Sequence, residues 1–200
     1  GAAFAALWVF AASANPAETP RVLLDTSMGE IGIELFAVES PVTVAHFLQA
    51  VDDRVYDGLI FHRVIADFMI QTGGVRADGT ELDESDGIRN EADNSLKNLE
   101  GSVAMARFDD IDSASRQFFF NLGDNPHLDH SDKSCTRADQ AARAKAAERG
   151  LSKPLNCSTF GYTVFAKVIA GMAVVRAISE VPTEETDDHP DLPTTPVIVR

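Results

Sequence analysis

Residues 61–74, with the sequence FHRVIADFMIQTGG, carry the pattern that decides the fold. Two short apolar runs, Phe61–Ile65 and Phe68–Gln71, are separated by Ala66-Asp67, and the stretch ends in two glycines. Short runs of branched and aromatic residues bounded by turn formers are typical of strands. The stretch therefore predicts two joined strands that place the cation of Arg63, the amide of Gln71 and large apolar side chains close together.

The residues before this stretch predict a strand hairpin and a helix. The apolar run Val22–Leu24 precedes the turn Ser27-Met28-Gly29, and Ile31, Ile33 and Leu35 alternate with other residues after it, as in half-buried strands. Ser40-Pro41 then supplies a helix N-cap and a first-turn proline. The apolar residues that follow have helical spacing and predict an amphipathic helix facing a core: Val44, Phe47, Leu48 and Val51.

The residues after the stretch predict more short strands, a second helix and an insertion. Apolar runs predict strands at 102–105, 118–121, 163–168 and 197–199, and Met172–Ile178 has helical spacing. Residues 131–156 stand apart, because Ala138–Glu148 is rich in Ala with Arg, Lys and Glu and predicts a helix that Gly150 can end. The pattern predicts a mainly β barrel or sandwich with two helices and a helical loop insertion, in one domain spanning 15–200.

The charge of the chain excludes one class of partner. The 200 residues carry a formal net charge of −14, and the sequence pI is near 4.6. Phosphate recognition needs clustered Lys and Arg, so a nucleic-acid partner is not expected. The acidic runs at 78–86 and 184–191 contain turn residues and predict solvated loops.

The N-terminal segment predicts export. Gly1–Ala14 carries no charge, is mostly apolar and ends in Ala12-Ser13-Ala14, which is typical of a signal-peptide cleavage site. The apolar stretch is too short to span a bilayer unaided. We therefore expect a signal-peptide remnant at 1–14, no membrane association, and a protein that works in the bacterial periplasm. An ordered apolar arm that packs on another surface is the alternative.

Cys135 and Cys157 are the only two cysteines. A lone pair in an exported protein favours a disulfide, and closing a loop of this length is worth about 3 kcal/mol in the chain-entropy model. Two unpaired thiols are the alternative. Residues with metal-ligand side chains also lie nearby, but their spacing lacks a second strong ligand pair and no metal is expected: His127, Asp129, His130 and Cys135.

The central stretch suits catalysis of rotation about the peptide bond that precedes a proline. Amide resonance opposes that rotation with a barrier of about 18–20 kcal/mol, so a catalyst need only favour the twisted transition state. The prolyl nitrogen then becomes pyramidal and gains a lone pair, to which a guanidinium donates a hydrogen bond much better than to the planar amide. Neither a nucleophile nor a cofactor is required, and Arg63 is the candidate catalytic residue.

The same stretch resembles the signature of the cyclophilin-type peptidyl-prolyl cis/trans isomerases, in which the matching arginine is catalytic. Further motifs follow in the family's order: NEADN at 90–94, GSVAMAR at 101–107, SRQFFFN at 115–121 and FGYTVFAKV at 160–168. The resemblance covers 21–200 apart from the insertion. It implies a closed antiparallel eight-stranded barrel with two capping helices, which acts as a monomer and accelerates the folding of exported proteins.

The resemblance also implies which residues bind the substrate: His62, Phe68, Met69, Gln71, Ala106, Arg107, Gln117, Phe119, His127, Leu128 and Tyr162. The proline ring is expected to contact the apolar members: Phe68, Met69, Phe119 and Leu128. Gln71 is expected to hydrogen-bond the substrate backbone and Gln117 to orient that amide. Ala106 and Arg107 match positions that hold the peptide largely through main-chain groups. His62 is expected beside the site as a structural histidine, since bond rotation transfers no proton.

Two positions depart from the family's usual residues. Tyr162 stands where many members have histidine, and its hydroxyl can still donate a hydrogen bond near the site. His127 stands where the members most sensitive to cyclosporin typically have tryptophan. Weak cyclosporin binding is therefore expected, because the packing area and the N–H donor of the indole are missing.

A second class of function stays open, namely a proline-binding module or holding chaperone that catalyses little. Uniform binding of proline needs only the apolar pocket and can dispense with an arginine. The presence of Arg63 together with Phe68, Gln71 and Phe119 favours the isomerase. The expected partners are proline-containing peptides and unfolded or folding exported proteins.

Overall fold

The computed structural model describes residues 19–83, 86–131, 133–150 and 157–200. The predicted signal segment at 1–14 lies outside these residues, and so does part of the insertion predicted at 131–156. Within the described ranges, no helix is both long enough and apolar enough to cross a bilayer.

Seven strands form one antiparallel sheet. Their bounds are β1 Arg21–Thr26, β2 Gly29–Leu35, β3 Arg63–Ile65, β4 Met69–Thr72, β5 Ser102–Met105, β6 Phe118–Asn121 and β7 Val164–Ala170. The order across the sheet is β1-β2-β7-β5-β6-β4-β3. Two further strands, β8 Thr183–Glu184 and β9 Leu192–Pro193, pair with each other, so the first residue of the acidic run predicted as a solvated loop at 184–191 lies in a strand.

The pairing of residues 197–199 differs from the expected final strand. The Phe61 N–H donates to the Val197 carbonyl (3.0 Å) and the Ser27 N–H donates to the Ile198 carbonyl (2.8 Å). These contacts form isolated bridges. A continuous ladder is interrupted because the Ile198 N–H donates to the Ser27 hydroxyl (3.1 Å) instead of a carbonyl. The structure confirms a mainly β fold with a curled seven-stranded sheet, and the closed eight-stranded barrel is not confirmed.

The described residues contain three α-helices: α1 Pro41–Asp52, α2 Arg137–Ala147 and α3 Met172–Ser179. The two predicted helices and the helix predicted inside the insertion are therefore confirmed. Thr136 begins α2 with a capping box, in which its side chain and that of Asp139 each bond the other's backbone N–H. Cys135, immediately before this cap, forms a disulfide with Cys157, so the unpaired-thiol alternative is wrong.

The start of α1 corrects a prediction. Ser40 occupies the N-cap position, but its hydroxyl donates to the Val164 carbonyl (2.8 Å) and does not cap the helix. Glu91 caps α1 from a distant loop, because its carboxylate accepts the N–H groups of Val42 (3.1 Å) and Thr43 (2.9 Å). It also accepts the Thr43 hydroxyl (2.8 Å). A buried anion at the positive end of the helix thus fixes α1 against the sheet.

Strand β6 separates the core from a second apolar cluster. Phe118 and Phe120 are fully buried in the main core, where Phe118 meets Phe47 of α1 edge-on with ring centroids 5.4 Å apart. Phe119 belongs instead to a cluster with Met69 and Leu128. Successive side chains of a strand point to opposite faces, so one strand supplies both clusters. The second cluster marks the face on which a site can form.

Candidate active site

Four strands place a polar and apolar row on this face. Arg63 of β3 lies opposite Gln71 of β4, Gln71 lies opposite Phe119 of β6, and Phe119 lies opposite Ala104 of β5. Directly opposed residues of antiparallel strands share a face. The strand register alone therefore sets a cation, an amide and an aromatic ring side by side.

A surface groove of about 190 Å³ runs over this row. We call it the main groove, and its lining residues are Arg63, Phe68, Met69, Gln71, Ala106, Arg107, Phe119, Leu128 and Tyr162. Every one of them was predicted from the sequence as a site residue. Its apolar floor is well packed, since Phe119 is only 4% exposed and Met69 only 2%. The groove can hold a compact apolar ring beside a guanidinium and an amide.

The amide of Gln71 is held by a second amide. Gln71 Nε2 donates to Gln117 Oε1 at 2.7 Å. Gln117 itself packs against Gly74, where an added Cβ would lie 2.5 Å from Gln117 Nε2. The glycine that ends the central stretch therefore leaves room for Gln117, and Gln117 orients the amide that faces the main groove.

Arg63 is half-exposed and is held from the side. Its Nε lies 3.8 Å from Asp191 Oδ2, and the two side chains are 42% and 39% exposed. The Asp191 carbonyl also accepts the Val64 N–H at 2.9 Å, which fastens the residue before β9 to β3. A guanidinium has five N–H donors, so this contact leaves donors for a substrate. The sequence analysis placed Asp191 in a solvated loop and missed this contact.

Arg107 stabilises the opposite wall of the main groove through its side chain. Its Nε donates to the Gly161 carbonyl (3.0 Å) and its guanidinium donates to the Cys157 carbonyl (2.7 Å). The guanidinium also lies over the Tyr162 ring at 5.0 Å, and Tyr162 meets Phe119 edge-on at 5.8 Å. The sequence analysis expected mainly backbone contacts at position 107, and the structure adds this cross-linking side chain.

Besides Gln117, two predicted site residues lie around the main groove without lining it. His62 is 6% exposed, and its Nδ1 atom has no hydrogen-bond partner within the described residues. Burial, and then the neighbouring His189, lower the pKa of His62 to about 4, although Gln117 and the Ile60 backbone oppose part of this effect. His62 is thus neutral at pH 7. His127 stacks on Phe68 with ring centroids 5.6 Å apart and extends the wall of the main groove that Phe68 forms.

The sequence analysis did not identify as site residues three of the residues that line a neighbouring pocket. This adjacent pocket shares Gln71, Ala106 and Arg107 with the main groove and also contains Gln117. Its other lining residues come from the loop between β5 and β6: Phe108, Ser113 and Ser115. That loop has no regular apolar spacing, so only the fold reveals its place beside the site.

The ligand-type residues near 127–135 have other partners. Cys135 is in the disulfide, His130 Nδ1 contacts the Phe160 carbonyl at 2.7 Å, and Asp129 accepts the Asn98 N–H at 2.8 Å. Across the described part of the chain, no three His, Cys, Asp or Glu side chains gather as metal ligands.

The fold and the main groove define a β-sheet protein with a surface site for a proline-sized ring beside an arginine. The family model for "cyclophilin type peptidyl-prolyl cis-trans isomerase/CLD" matches residues 21–199. The chain belongs to this family, and its enzyme class is peptidyl-prolyl cis-trans isomerase.

Named relatives agree with this assignment. The chain is 38% identical over 180 residues to peptidyl-prolyl cis-trans isomerase A of Dickeya dadantii, which covers 90% of this chain and 82% of the relative. It is 42% identical over 179 residues to an isomerase of Streptomyces antibioticus, covering 90% and 95%. It is 37% identical over 179 residues to isomerase B of Escherichia coli K12, covering 90% and 96%.

A solved structure supports the fold. The crystal structure of a cyclophilin-type isomerase of Cryptosporidium parvum superposes with a TM-score of 0.66 at 20% sequence identity, covering 91% of this chain and 94% of that chain. The same protein solved in the presence of the dipeptide Ala-Pro gives a TM-score of 0.65 at 20% identity, covering 90% and 95%.

Proposed function

We propose that the main groove catalyses rotation about X-Pro bonds, with Arg63 as the catalytic residue. The observation that carries this proposal is the row of Arg63, Gln71 and Phe119 on neighbouring strands. The row aligns a hydrogen-bond donor for the prolyl nitrogen, a group for the substrate backbone and a surface for the proline ring.

The apolar floor fixes the substrate and removes water. A proline ring that packs on Phe119, Met69 and Leu128 leaves its nitrogen near the edge of the groove where Arg63 lies. As the bond twists, amide resonance is lost and the nitrogen gains a lone pair. A guanidinium N–H then donates to it, and this hydrogen bond is much stronger in the transition state than in either planar ground state.

The amide pair supports this step from the side. Gln117 accepts one N–H of Gln71, which leaves the second N–H and the oxygen of Gln71 for the substrate backbone. Asp191 contacts the Nε edge of Arg63 and restricts the rotamers of a long side chain. Both arrangements reduce the reorganisation that the transition state requires.

We further infer that the substrates are folding proteins in the bacterial periplasm. Two features support this proposal. The apolar segment Gly1–Ala14 resembles a signal peptide, and the Cys135–Cys157 disulfide suits an oxidising compartment. Uncatalysed proline isomerisation takes tens of seconds or more, so exported chains that contain proline gain from such an enzyme. Ala-Pro, present with the Cryptosporidium relative, is a minimal substrate of the same type.

The activity is tested on a short Ala-Pro peptide by following cis-to-trans isomerisation with the parent, Arg63→Ala and the control Arg21→Ala. Arg21 is exposed on β1 and pairs with Glu34, so its removal tests the loss of a strand arginine away from the groove. We expect a fast parent, an unchanged control and an Arg63→Ala rate lower by about a hundredfold. Circular dichroism confirms folding. A folded parent without acceleration would show that the groove only binds proline.

The location is tested by fractionating cells that express the natural gene and sequencing the N-terminus of the purified protein. We expect the protein in the periplasm with Asn15 as its first residue. Recovery from the cytoplasm with the apolar segment intact would refute export.

A further inference from the structure

Two more pockets lie beside the main groove along the β5–β6 loop. The adjacent pocket shares Phe108, Ser113 and Ser115 with a third pocket of about 290 Å³. Since the adjacent pocket also shares residues with the main groove, the three pockets follow one another along this loop. The third pocket is larger than the main groove and shares no lining residue with it.

The insertion supplies part of the wall of the third pocket. Gln140 of α2 lines it, and Gln140 Oε1 accepts the Ile111 N–H at 2.8 Å. This bond fixes the amide group. Among the described residues, Gln140 Nε2 has no acceptor, although it borders a pocket. The nitrogen therefore has donor capacity that the described residues do not use.

Helix α2 is held firmly at its start although it adds nothing to the core. Arg137 donates to both carboxylate oxygens of Asp112 (3.0 and 2.7 Å) and to the Asn90 carbonyl (2.8 Å). Its guanidinium also lies over the Phe160 ring at 4.9 Å. None of the described α2 side chains is buried, so burial does not account for the helix. The contacts of Arg137 therefore fix the position of the surface of α2, which includes Gln140.

The chemistry of the third pocket matches a main-chain segment. Gln140 offers an N–H donor, and Asp110 lines the same pocket with a carboxylate that can accept an N–H. Asp112 forms an ion pair with Arg137, so the wall of the third pocket carries less negative charge than its two aspartates alone would give. Phe108 borders both the adjacent pocket and the third pocket. It is 64% exposed, so its ring offers an apolar surface to a side chain of the client.

We propose that the third pocket is an extended subsite that binds the client polypeptide beyond the residues next to proline. Gln140 Nε2 donates to a main-chain carbonyl of the client, and Phe108 packs on a client side chain. This inference rests on the proposed function of the main groove, because both sites hold one continuous peptide. The insertion thus makes the enzyme favour longer polypeptides over short ones.

The test compares a short Ala-Pro peptide with the same peptide extended by alanine and serine on either side. Isomerisation is measured with the parent, Gln140→Glu and the control Lys145→Gln. The Gln140→Glu variant keeps an oxygen that can accept the Ile111 N–H but removes the N–H donor. Lys145 is exposed on the same helix and does not line the third pocket, so its substitution is the control. We expect the parent to prefer one extended peptide, and Gln140→Glu to lower kcat/KM for that peptide by roughly threefold to tenfold. Short-peptide turnover and the control stay unchanged.

Two outcomes would overturn the subsite. One is a parent without preference for length, and the other is an equal loss on short and extended peptides in Gln140→Glu. Failure of the proposed function looks different, since the parent would then not accelerate even the short peptide. In that case titration calorimetry of the same peptides still decides the matter, because the subsite requires tighter binding of one extended peptide and its loss in Gln140→Glu.

Discussion

At the residue scale, we propose that the Phe68–His127 stack limits the affinity for a bulky inhibitor. The imidazole covers less of the Phe68 ring than an indole would and offers a different donor. We expect the parent to bind cyclosporin weakly and His127→Trp to bind it at least about fivefold more tightly, since an aromatic pair adds about 1 kcal/mol. A fluorescence or calorimetric titration of both proteins measures this. Equal and tight binding by both would contradict the role given to His127.

His62 makes stability depend on pH. Its folded-state pKa of about 4 lies below the ordinary value of 6.5, so between these values the unfolded chain binds a proton that the native state does not. The contribution is complete above pH 6.5 and is lost as the pH falls through 4. The free energy of unfolding should therefore fall on acidification, by about 3 kcal/mol at most from this group.

The measurement is urea unfolding between pH 7 and pH 4 for the parent and His62→Gln. Glutamine does not titrate, so the difference between the two curves isolates the histidine from the many carboxylates. We expect the parent to lose more stability than the variant over this range. Parallel pH profiles would show that His62 titrates near its ordinary pKa.

Single residues also show how far the sequence predicts the site. Arg63, Gln71 and Phe119 follow from the family resemblance, and strand alternation explains why Phe119 leaves the core that Phe118 and Phe120 share. Asp191 could not be predicted. It lies in an acidic run without periodicity, and only the fold brings it to Arg63.

At the element scale, Glu91 is the residue that fixes the start of α1. Its carboxylate accepts three hydrogen bonds there, two of them from backbone N–H groups. Glu91→Gln keeps the shape but removes the charge and one acceptor, so we expect a loss of about 1–3 kcal/mol of stability. Denaturant unfolding measures the loss, with Glu39→Gln, an exposed glutamate just before α1, as the control. Equal stabilities of the two variants would argue against the cap.

The disulfide is the second feature at this scale that we expect to stabilise the fold. Cys135 and Cys157 are 22 residues apart, and closing such a loop contributes about 3 kcal/mol in the chain-entropy model. The double variant Cys135→Ser/Cys157→Ser should unfold at lower urea concentration by a corresponding amount. Adding a reductant should destabilise the parent but leave the variant unchanged. A parent that is insensitive to reductant and matches the variant would show that the bond adds no stability.

The elements themselves were largely predictable, but their ends and partners were not. Local spacing indicates α1, the β1–β2 hairpin and α2. It does not show that Ser40 turns its hydroxyl to Val164 while Glu91 takes over the cap. It also does not show that 197–199 forms isolated bridges to Thr26 of β1 and to Ile60 without a ladder. These outcomes depend on contacts between residues far apart in sequence.

At the scale of the whole molecule, one sheet serves two purposes. One apolar cluster packs the core with α1, and the other forms the floor of the main groove. The described part of the insertion stays outside the main core and is attached through Arg137, Gln140 and the disulfide. We therefore propose that catalysis depends on the register of the strands, while client selection can vary in the insertion without disturbing that register.

The central claim is that Arg63 stabilises the twisted transition state and adds little to ground-state binding. It is tested most directly by exchange NMR on an Ala-Pro peptide saturating the parent or Arg63→Ala, which reports the rate of interconversion of bound cis and trans forms apart from affinity. We predict similar affinities and an exchange rate about a hundredfold lower in the variant. Undiminished exchange in saturated Arg63→Ala, or a parent that binds the peptide without exchange, would contradict the account.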